Sequence, residues 1–65
     1  MNWDTISGQW REWQGKIRAK WGKLTDDDLE TIRGKKDVLV GRLQQHYGFK
    51  QDQAEREVDD FLKTI

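Results

Sequence analysis

The sequence predicts an all-α domain of four short helices packed as crossed helical hairpins. Apolar residues recur every three or four positions along most of the chain, glycines separate these stretches, and there is no proline. That spacing is typical of amphipathic helices ended by glycine turns. The second amphipathic stretch is short, which favours crossed hairpins over a regular up-down bundle. A chain of 65 residues is expected to form one domain, residues 1–65, near the lower size limit for folding without disulfides or metal.

The first helix is predicted to run from about Asp4 to Trp21, with Asn2 or Asp4 as its N-cap and Gly22 as its stop. Its apolar face contains all four tryptophans of the chain. A buried tryptophan removes ~200 Å² of surface from water, so this face should dominate the packing energy. The face consists of Trp3, Ile6, Trp10, Trp13, Ile17, Trp21 and Leu24.

Gly8, Gly15 and Gly22 recur every seven residues, roughly opposite the tryptophan face. Two interpretations stay open. The helix is marginal or broken near its start, because each interior glycine costs ~1 kcal/mol relative to alanine. Alternatively, the glycines form a smooth strip that another backbone approaches closely. Replacing Gly8 and Gly15 by alanine distinguishes the two.

The second helix has the clearest start. Thr25 is the predicted N-cap, and Asp28 three residues later completes a capping-box-like arrangement. Leu24 and Leu29 occupy the hydrophobic staple positions. The acidic run 26–28 fits the positive end of the helix dipole. It lacks the alternating ligands, glycine and distal glutamate of a calcium loop, so no metal is expected.

The third helix is predicted from about Lys36 to Tyr47, after a turn at Gly34 and before a C-terminal Gly48. Its inward face consists of Leu39, Val40, Leu43 and Tyr47.

The fourth helix should span Gln51 to Leu62 or beyond. Its start stays open between Lys50, a poor cap by residue type, and a capping box formed by Asp52 with Glu55. The inward face is expected to consist of Ala54, Val58, Phe61, Leu62 and Ile65, with Phe49 as an anchor before the helix.

The charges balance at twelve basic and twelve acidic residues, which argues against a general nucleic-acid or anionic-membrane binder. Their distribution alternates: +3 in residues 1–24, −4 in 25–32, +4 in 33–50 and −3 in 51–65. Neighbouring helices therefore complement one another, although exposed ion pairs contribute only ~0–1 kcal/mol each.

Few residue types suited to catalysis are present. The chain has one serine, Ser7, one histidine, His46, and no cysteine. Neither a nucleophile with its base nor a phosphate-binding glycine loop can be assembled from them. His46 is expected to be a partly exposed helix residue. We therefore expect no enzyme activity, no catalytic residue, no cofactor and no metal.

One stretch has the composition of a phosphate contact. Gly34 leads into a helix start and is flanked by Arg33, Lys35 and Lys36, with Arg42 one turn and a half further on. Backbone N–H groups and cations in such a turn can bind a nucleic-acid phosphate. The turn faintly resembles a helix-hairpin-helix motif but lacks its second glycine. Weak nucleic-acid contact at this turn is the alternative function.

A second candidate surface is aromatic. The seven residues of the tryptophan face exceed what three short helices are expected to cover, so Trp3 or Trp13 is predicted to stay exposed as a contact for an unknown protein partner. No apolar run approaches the ~18 residues of a membrane span, and the N-terminus lacks the order of a signal peptide. We expect a cytoplasmic monomer.

Taken together, six segments, five of which contain glycine, resemble the CsbD-like family of small bacterial proteins. They are Gly15-Lys16, Trp21-Gly22-Lys23-Leu24-Thr25-Asp26-Asp27-Asp28, Gly34-Lys35, Val40-Gly41-Arg42-Leu43-Gln44, Tyr47-Gly48-Phe49 and Asp52-Gln53-Ala54-Glu55. The resemblance implies a SAM-domain-like all-α fold and production under osmotic, envelope or stationary-phase stress. It implies no catalytic residues and no agreed molecular activity.

The leading functional hypothesis is a folded, non-enzymatic stress-response protein that acts as an interaction or protective module. Six glycines and a mean hydropathy of −1.07 resemble the hydrophilin class of protective proteins. Such a composition favours solubility and, at its extreme, disorder. Four tryptophans at helical spacing indicate that this chain nonetheless folds.

Overall fold

The computed structural model describes residues 2–64 and is all-helical over that range, as predicted, with no strand among these residues. None of the helices described there has the length and apolarity needed to cross a membrane. The helices are α1 Trp3–Gly8, α2 Trp10–Lys20, α3 Asp26–Ile32, α4 Lys36–Tyr47 and α5 Gln51–Thr64.

The prediction of one continuous first helix is wrong. The described residues therefore form five helices instead of the predicted four. The chain breaks at Gln9, whose backbone angles of φ −117° and ψ 40° are not helical. The amide of Gln9 closes α1 on the carbonyls of Thr5 and Ile6, and its own carbonyl accepts from Glu12 and Trp13 to start α2. Gly8 directly precedes the break, so the interpretation of a helix broken near its start is confirmed.

Asn2 is the N-cap of α1, because its side-chain oxygen accepts from the amide of Thr5 at 3.1 Å. The capping box of α3 is confirmed as well. The Thr25 hydroxyl accepts from the Asp28 amide at 3.1 Å, and the Asp28 carboxylate accepts from the Thr25 amide at 2.9 Å. Local sequence signals therefore specify both of these helix starts.

The core forms where the apolar faces of all five helices meet. Trp21 and Trp13 both contact the ring of Phe61, at centroid distances of 5.2 and 6.2 Å. Most of the predicted inward residues are buried, whereas Tyr47, Phe49 and Leu62 pack against the core from its edge. Ile65, also predicted inward, lies outside the described residues. The buried apolar residues are Ile6, Trp13, Ile17, Trp21, Leu24, Leu29, Ile32, Leu39, Val40, Leu43, Ala54, Val58 and Phe61.

Two turns use left-handed backbone. Arg33 ends α3 with φ 46° and is followed by Gly34 with φ 82°. Gly48 ends α4 with φ 73°, and its amide donates to the Gln44 carbonyl at 2.9 Å. This geometry is typical of helix C-termini closed by glycine. It turns α5 back on α4, which begins and ends as predicted.

The start of α5 is Gln51, so Asp52 lies inside the first turn of the helix. The carboxylate of Asp52 accepts from the amide of Gln53 at 2.9 Å. The amide of Ala54 bonds to the carbonyl of Lys50 at 2.9 Å, which makes Lys50 the last residue before the helix. Of the two predicted starts, the one after Lys50 is therefore the observed one.

Candidate functional site

The basic turn between α3 and α4 presents two cations to solvent. Arg33 and Lys35 are both exposed. The guanidinium of Arg33 folds back so that its Nε donates to the Glu30 carbonyl at 3.2 Å. Gly34, between them, is buried. The two charged side chains therefore flank a buried glycine.

The other two predicted phosphate contacts are engaged by carboxylates of the fold. Lys36 Nζ donates to Asp59 of α5 at 3.2 Å. Arg42 lies 3.4 Å from Asp28 of α3. The four basic residues are thus divided: Arg33 and Lys35 lie at the turn, whereas Lys36 and Arg42 each pair with an acidic residue of another helix.

The peptide groups of the turn are also used within the fold. The Gly34 carbonyl accepts from the indole N–H of Trp3 at 2.6 Å, and the Lys35 amide donates to the Ile32 carbonyl at 2.8 Å. A Cβ on Gly34 would lie 2.8 Å from the Ser7 hydroxyl oxygen. Helix α1 therefore packs directly on this turn, and the turn needs glycine for space as well as for its backbone angle.

The prediction that Trp13 stays exposed is wrong, because only 5% of it is accessible. It meets Phe61 edge-on, and the ammonium of Lys16 lies 4.2 Å from its ring centroid. Among the described residues its indole N–H finds no hydrogen-bond acceptor. The ring of Trp13 thus belongs to the core rather than to a partner surface.

Trp3 is partly exposed and forms a surface pair with Trp10, which sequence reasoning did not single out. Their ring centroids are 6.2 Å apart with planes tilted by 54°. Each indole N–H donates to a backbone carbonyl, Trp10 to Leu29 within α3 at 3.1 Å and Trp3 to Gly34 in the turn after α3. We call these two residues the Trp3–Trp10 pair. The break at Gln9 separates the two on different helices.

A polar cluster between α3 and α4 is the densest group of charged contacts described. At its centre is Asp28, which is only 6% exposed. One carboxylate oxygen accepts from the Thr25 amide and hydroxyl and lies 2.6 Å from His46 Nε2. The other lies 3.4 Å from the guanidinium of Arg42. We call Asp28, Arg42 and His46 the Asp28 cluster.

The electrostatics of the cluster favour the ionised carboxylate. Burial by itself raises the pKa of Asp28. Hydrogen bonds from the Thr25 amide and hydroxyl and from His46, together with the imidazolium charge, outweigh burial and hold that pKa below its ordinary value. Removing the negative charge would leave a partly buried guanidinium and imidazole without their acceptor.

The sequence predicted the capping role of Asp28 but not its link to α4. The available signal was the spacing of Arg42 and His46, which are four residues apart and therefore share one face of α4. Which acidic residue they would meet depended on how α3 packs on α4. Among residues 2–64, no three or more histidine, aspartate or glutamate side chains are grouped closely enough to hold a metal ion.

Comparison with known proteins identifies the family to which this chain is similar. The CsbD-like family model matches residues 4–56. The protein YjbJ of Escherichia coli K12, described as a UPF0337 protein, is 52% identical over 61 residues, covering 94% of this chain and 88% of its own. The UPF0337 protein ECA0631 of Pectobacterium atrosepticum is 55% identical over 58 residues (89% and 84% covered), and RPA4217 of Rhodopseudomonas palustris is 46% identical over 65 (100% and 98%).

Sequence and fold together define a small all-helical protein with a tryptophan-rich core. Within that class, the chain belongs to the CsbD-like family, as the resemblance of the six segments predicted. The family match includes the Trp3–Trp10 pair only in part, since it begins at Asp4, and includes the whole Asp28 cluster.

Proposed function

We propose that this protein is a non-enzymatic bacterial stress-response module that acts by contact with another protein. Membership of the CsbD-like family supports the bacterial stress role. In this role the protein is a monomer in the cytoplasm with a SAM-domain-like arrangement of its helices, and it needs no cofactor, metal or catalytic residue.

The observation that carries the contact role is the Trp3–Trp10 pair. Tryptophan is enriched at the energetic centres of protein interfaces. Both indoles are partly exposed, and both are held by hydrogen bonds to backbone carbonyls, Trp10 to Leu29 of α3 and Trp3 to Gly34 of the turn after it. A side chain already fixed before binding loses little further rotamer freedom, which favours affinity. The partner is therefore expected to offer an apolar protein surface that packs on these two rings.

The position of the lone histidine gives it a structural role in this proposal. His46 Nε2 is bonded to Asp28, which also closes the start of α3. This bond joins two helices. A rate of substrate turnover that disappears in a His46→Ala variant would argue for an enzyme instead.

The experiment is a complementation assay. A strain lacking this protein is exposed to osmotic and stationary-phase stress and supplied with wild type, Trp3→Ala/Trp10→Ala, or the control Gln53→Ala on the exposed face of α5. We expect the wild type and Gln53→Ala to restore survival and the double variant, shown to be folded by circular dichroism, to fail. Normal survival of the deletion strain would contradict the stress role, and full complementation by the double variant would contradict the contact role.

A protective, hydrophilin-like activity is the other form of this proposal. It is supported by the composition, in which 37% of residues are charged. Such protection depends on the hydrophilic surface of the whole protein rather than on the Trp3–Trp10 pair. The purified wild type and the double tryptophan variant should then preserve a labile enzyme equally well through drying, which separates this form from the contact role.

Weak nucleic-acid contact at the basic turn remains the second proposal. The exposed side chains of Arg33 and Lys35 favour it, while the ion pairs of Lys36 and Arg42 reduce the available positive charge. An amide NMR titration with a short DNA duplex tests it. Shifts confined to residues 33–36 and 42 that fade with salt would support it, because phosphate contacts release counterions. A spectrum unchanged by DNA would exclude it.

A further inference from the structure

The Asp28 cluster combines two structural roles in one buried carboxylate. Through Thr25 it closes the first turn of α3, and through Arg42 and His46 it ties that turn to α4. Both roles need the ionised form, since a protonated carboxyl group accepts these hydrogen bonds less strongly and attracts neither cation. A single proton therefore acts on the helix start and on the contact between helices together.

The ionisable groups near the Asp28 carboxylate differ between the helices around it. From α4 it meets the guanidinium of Arg42 and the imidazole of His46, which is cationic when protonated. On its own helix Asp26 and Asp27 are exposed, and Asp26 pairs with Arg18 of α2. Among residues 2–64, no side chain of α2 or α5 lies within ion-pair distance of Asp28.

Arg42 and His46 are four residues apart on α4 and are held on either side of one negative charge. When that charge is removed in acid, the guanidinium and the protonated imidazole are like charges on adjacent turns of one helix, an arrangement that destabilises helices. Protonation thus removes an attraction and leaves a repulsion at the same place.

We propose that the Asp28 cluster is an acid-released latch: protonation of Asp28 detaches α3 from α4, while the hairpin of α4 and α5 stays folded.

The α4–α5 hairpin has contacts that do not depend on a buried carboxylate. Tyr47 and Phe49 stack across the Gly48 turn with ring centroids 5.2 Å apart and planes within 9°. Its ion pair, Lys36 with Asp59, is exposed and therefore contributes little. Apolar side chains of both helices supply the rest of the contact. Acidification should therefore weaken the contact between α3 and α4 more than the contact between α4 and α5.

The direction of the pH effect follows from the Asp28 pKa. Because that pKa is lower in the folded protein than in the unfolded chain, the stabilisation is fully present above the unfolded value. It is lost as the pH falls through the lower, folded value. The latch therefore holds in mildly acidic solution and is released only under stronger acid.

The test is amide hydrogen exchange followed by NMR on the full chain between pH 6 and pH 2.5, with rates corrected for intrinsic exchange. We expect the protection of α3 amides to fall by about tenfold or more relative to α5 amides as Asp28 is protonated. In Asp27→Asn, the matched control in the same turn, the same fall should occur at the same pH.

Two variants make the assignment specific. In Asp28→Asn the ratio of α3 to α5 protection should be low at pH 6 and nearly constant with pH. In His46→Gln the fall should occur at higher pH, because the imidazolium that lowers the Asp28 pKa is gone. His46→Gln and the wild type decide the question if Asp28→Asn does not fold. Equal loss of α3 and α5 protection, or an unshifted transition in His46→Gln, would overturn the proposal.

Discussion

His46 Nε2 lies 2.6 Å from Asp28 Oδ2, so the last turn of α4 is bonded directly to the first turn of α3. The same carboxylate accepts both hydrogen bonds from Thr25. A contact between helices and a helix cap therefore share one group. Changes at Asp28 should affect stability more than changes at a typical capping residue.

Replacing Asp28 by alanine should lower the free energy of unfolding at pH 7 by about 2–3 kcal/mol, since the capping box is lost and Arg42 and His46 lose their acceptor. Urea denaturation of both proteins at pH 7 and pH 3 provides the measurement. Because the folded-state pKa of Asp28 is depressed, the wild type loses this stabilisation on acidification and the difference should shrink at pH 3. A difference that is the same at both pH values would contradict this account.

Thr25→Ala should cost about 1 kcal/mol, because the Asp28 amide loses the hydroxyl that accepts from it at 3.1 Å. Thr25→Ser keeps that oxygen and serves as the control, with an expected change of a few tenths of a kcal/mol. Thermal unfolding by circular dichroism measures both. If serine and alanine were equally destabilising, the methyl group rather than the cap would be the important part of Thr25.

Replacing helix glycines that have no structural role by alanine should stabilise the protein. A Cβ on Gly15 or Gly41 would meet no atom within 4 Å, and neither glycine has a positive φ. Gly15→Ala and Gly41→Ala should each stabilise the protein by about 0.5–1 kcal/mol. Ala19→Gly, at an exposed position of α2, is the reverse control and should destabilise by a similar amount.

Gly15→Ala also tests the second interpretation of the seven-residue glycine spacing, a smooth strip that another backbone approaches closely. Stabilisation of Gly15→Ala without loss of stress survival would mean that the glycines have no contact role. Stabilisation accompanied by loss of survival would support a smooth strip that another backbone approaches. Survival is scored in the complementation strain described above.

Local signals in the sequence accounted for most of the helices. The Thr25 capping box, the Gly48 terminus and the bounds of α4 follow from residues close in the chain, and all are observed. The break at Gln9 was harder to predict, because the apolar spacing continues across it from Ile6 to Trp10. Only the cost of the nearby Gly8 indicated that the helix was weak there.

Long-range contacts account for what sequence reasoning missed. Periodicity alone places Trp3 and Trp13 on one face, yet Trp13 meets Phe61 of α5 and is buried, while Trp3 stays partly exposed and bonds to the Gly34 carbonyl. Likewise, charge type predicted Lys36 and Arg42 as phosphate contacts, whereas tertiary packing gives each an acidic partner. Which helix covers which face depends on packing between distant segments, which hydrophobic spacing does not specify.

Trp3→Phe should destabilise the protein by about 1 kcal/mol, because it removes the donor to the Gly34 carbonyl but keeps an aromatic ring beside Trp10. The matched variant is Trp13→Phe, which removes an indole N–H that has no acceptor among the described residues. Its cost should come from lost packing volume alone. Chemical denaturation compares them, with the indole N–H resonance of Trp3 assigned by NMR to confirm the bond. A Trp3 N–H resonance typical of a solvent-exposed indole would contradict the predicted contribution.

Gly34→Ala should be the most damaging of the glycine substitutions, at about 2–4 kcal/mol, because positive φ and steric overlap act together. The residue has φ 82°, and its Cβ would lie 2.8 Å from the Ser7 hydroxyl oxygen and 3.1 Å from the Ser7 Cα. The matched control is Gly48→Ala, which has φ 73° and open space around the added methyl group. It should cost only about 1 kcal/mol, the backbone part of the effect. Urea denaturation of both variants measures the difference, which reports the contact between α1 and the turn. Equal costs at the two glycines would mean that α1 does not pack against Gly34 in solution.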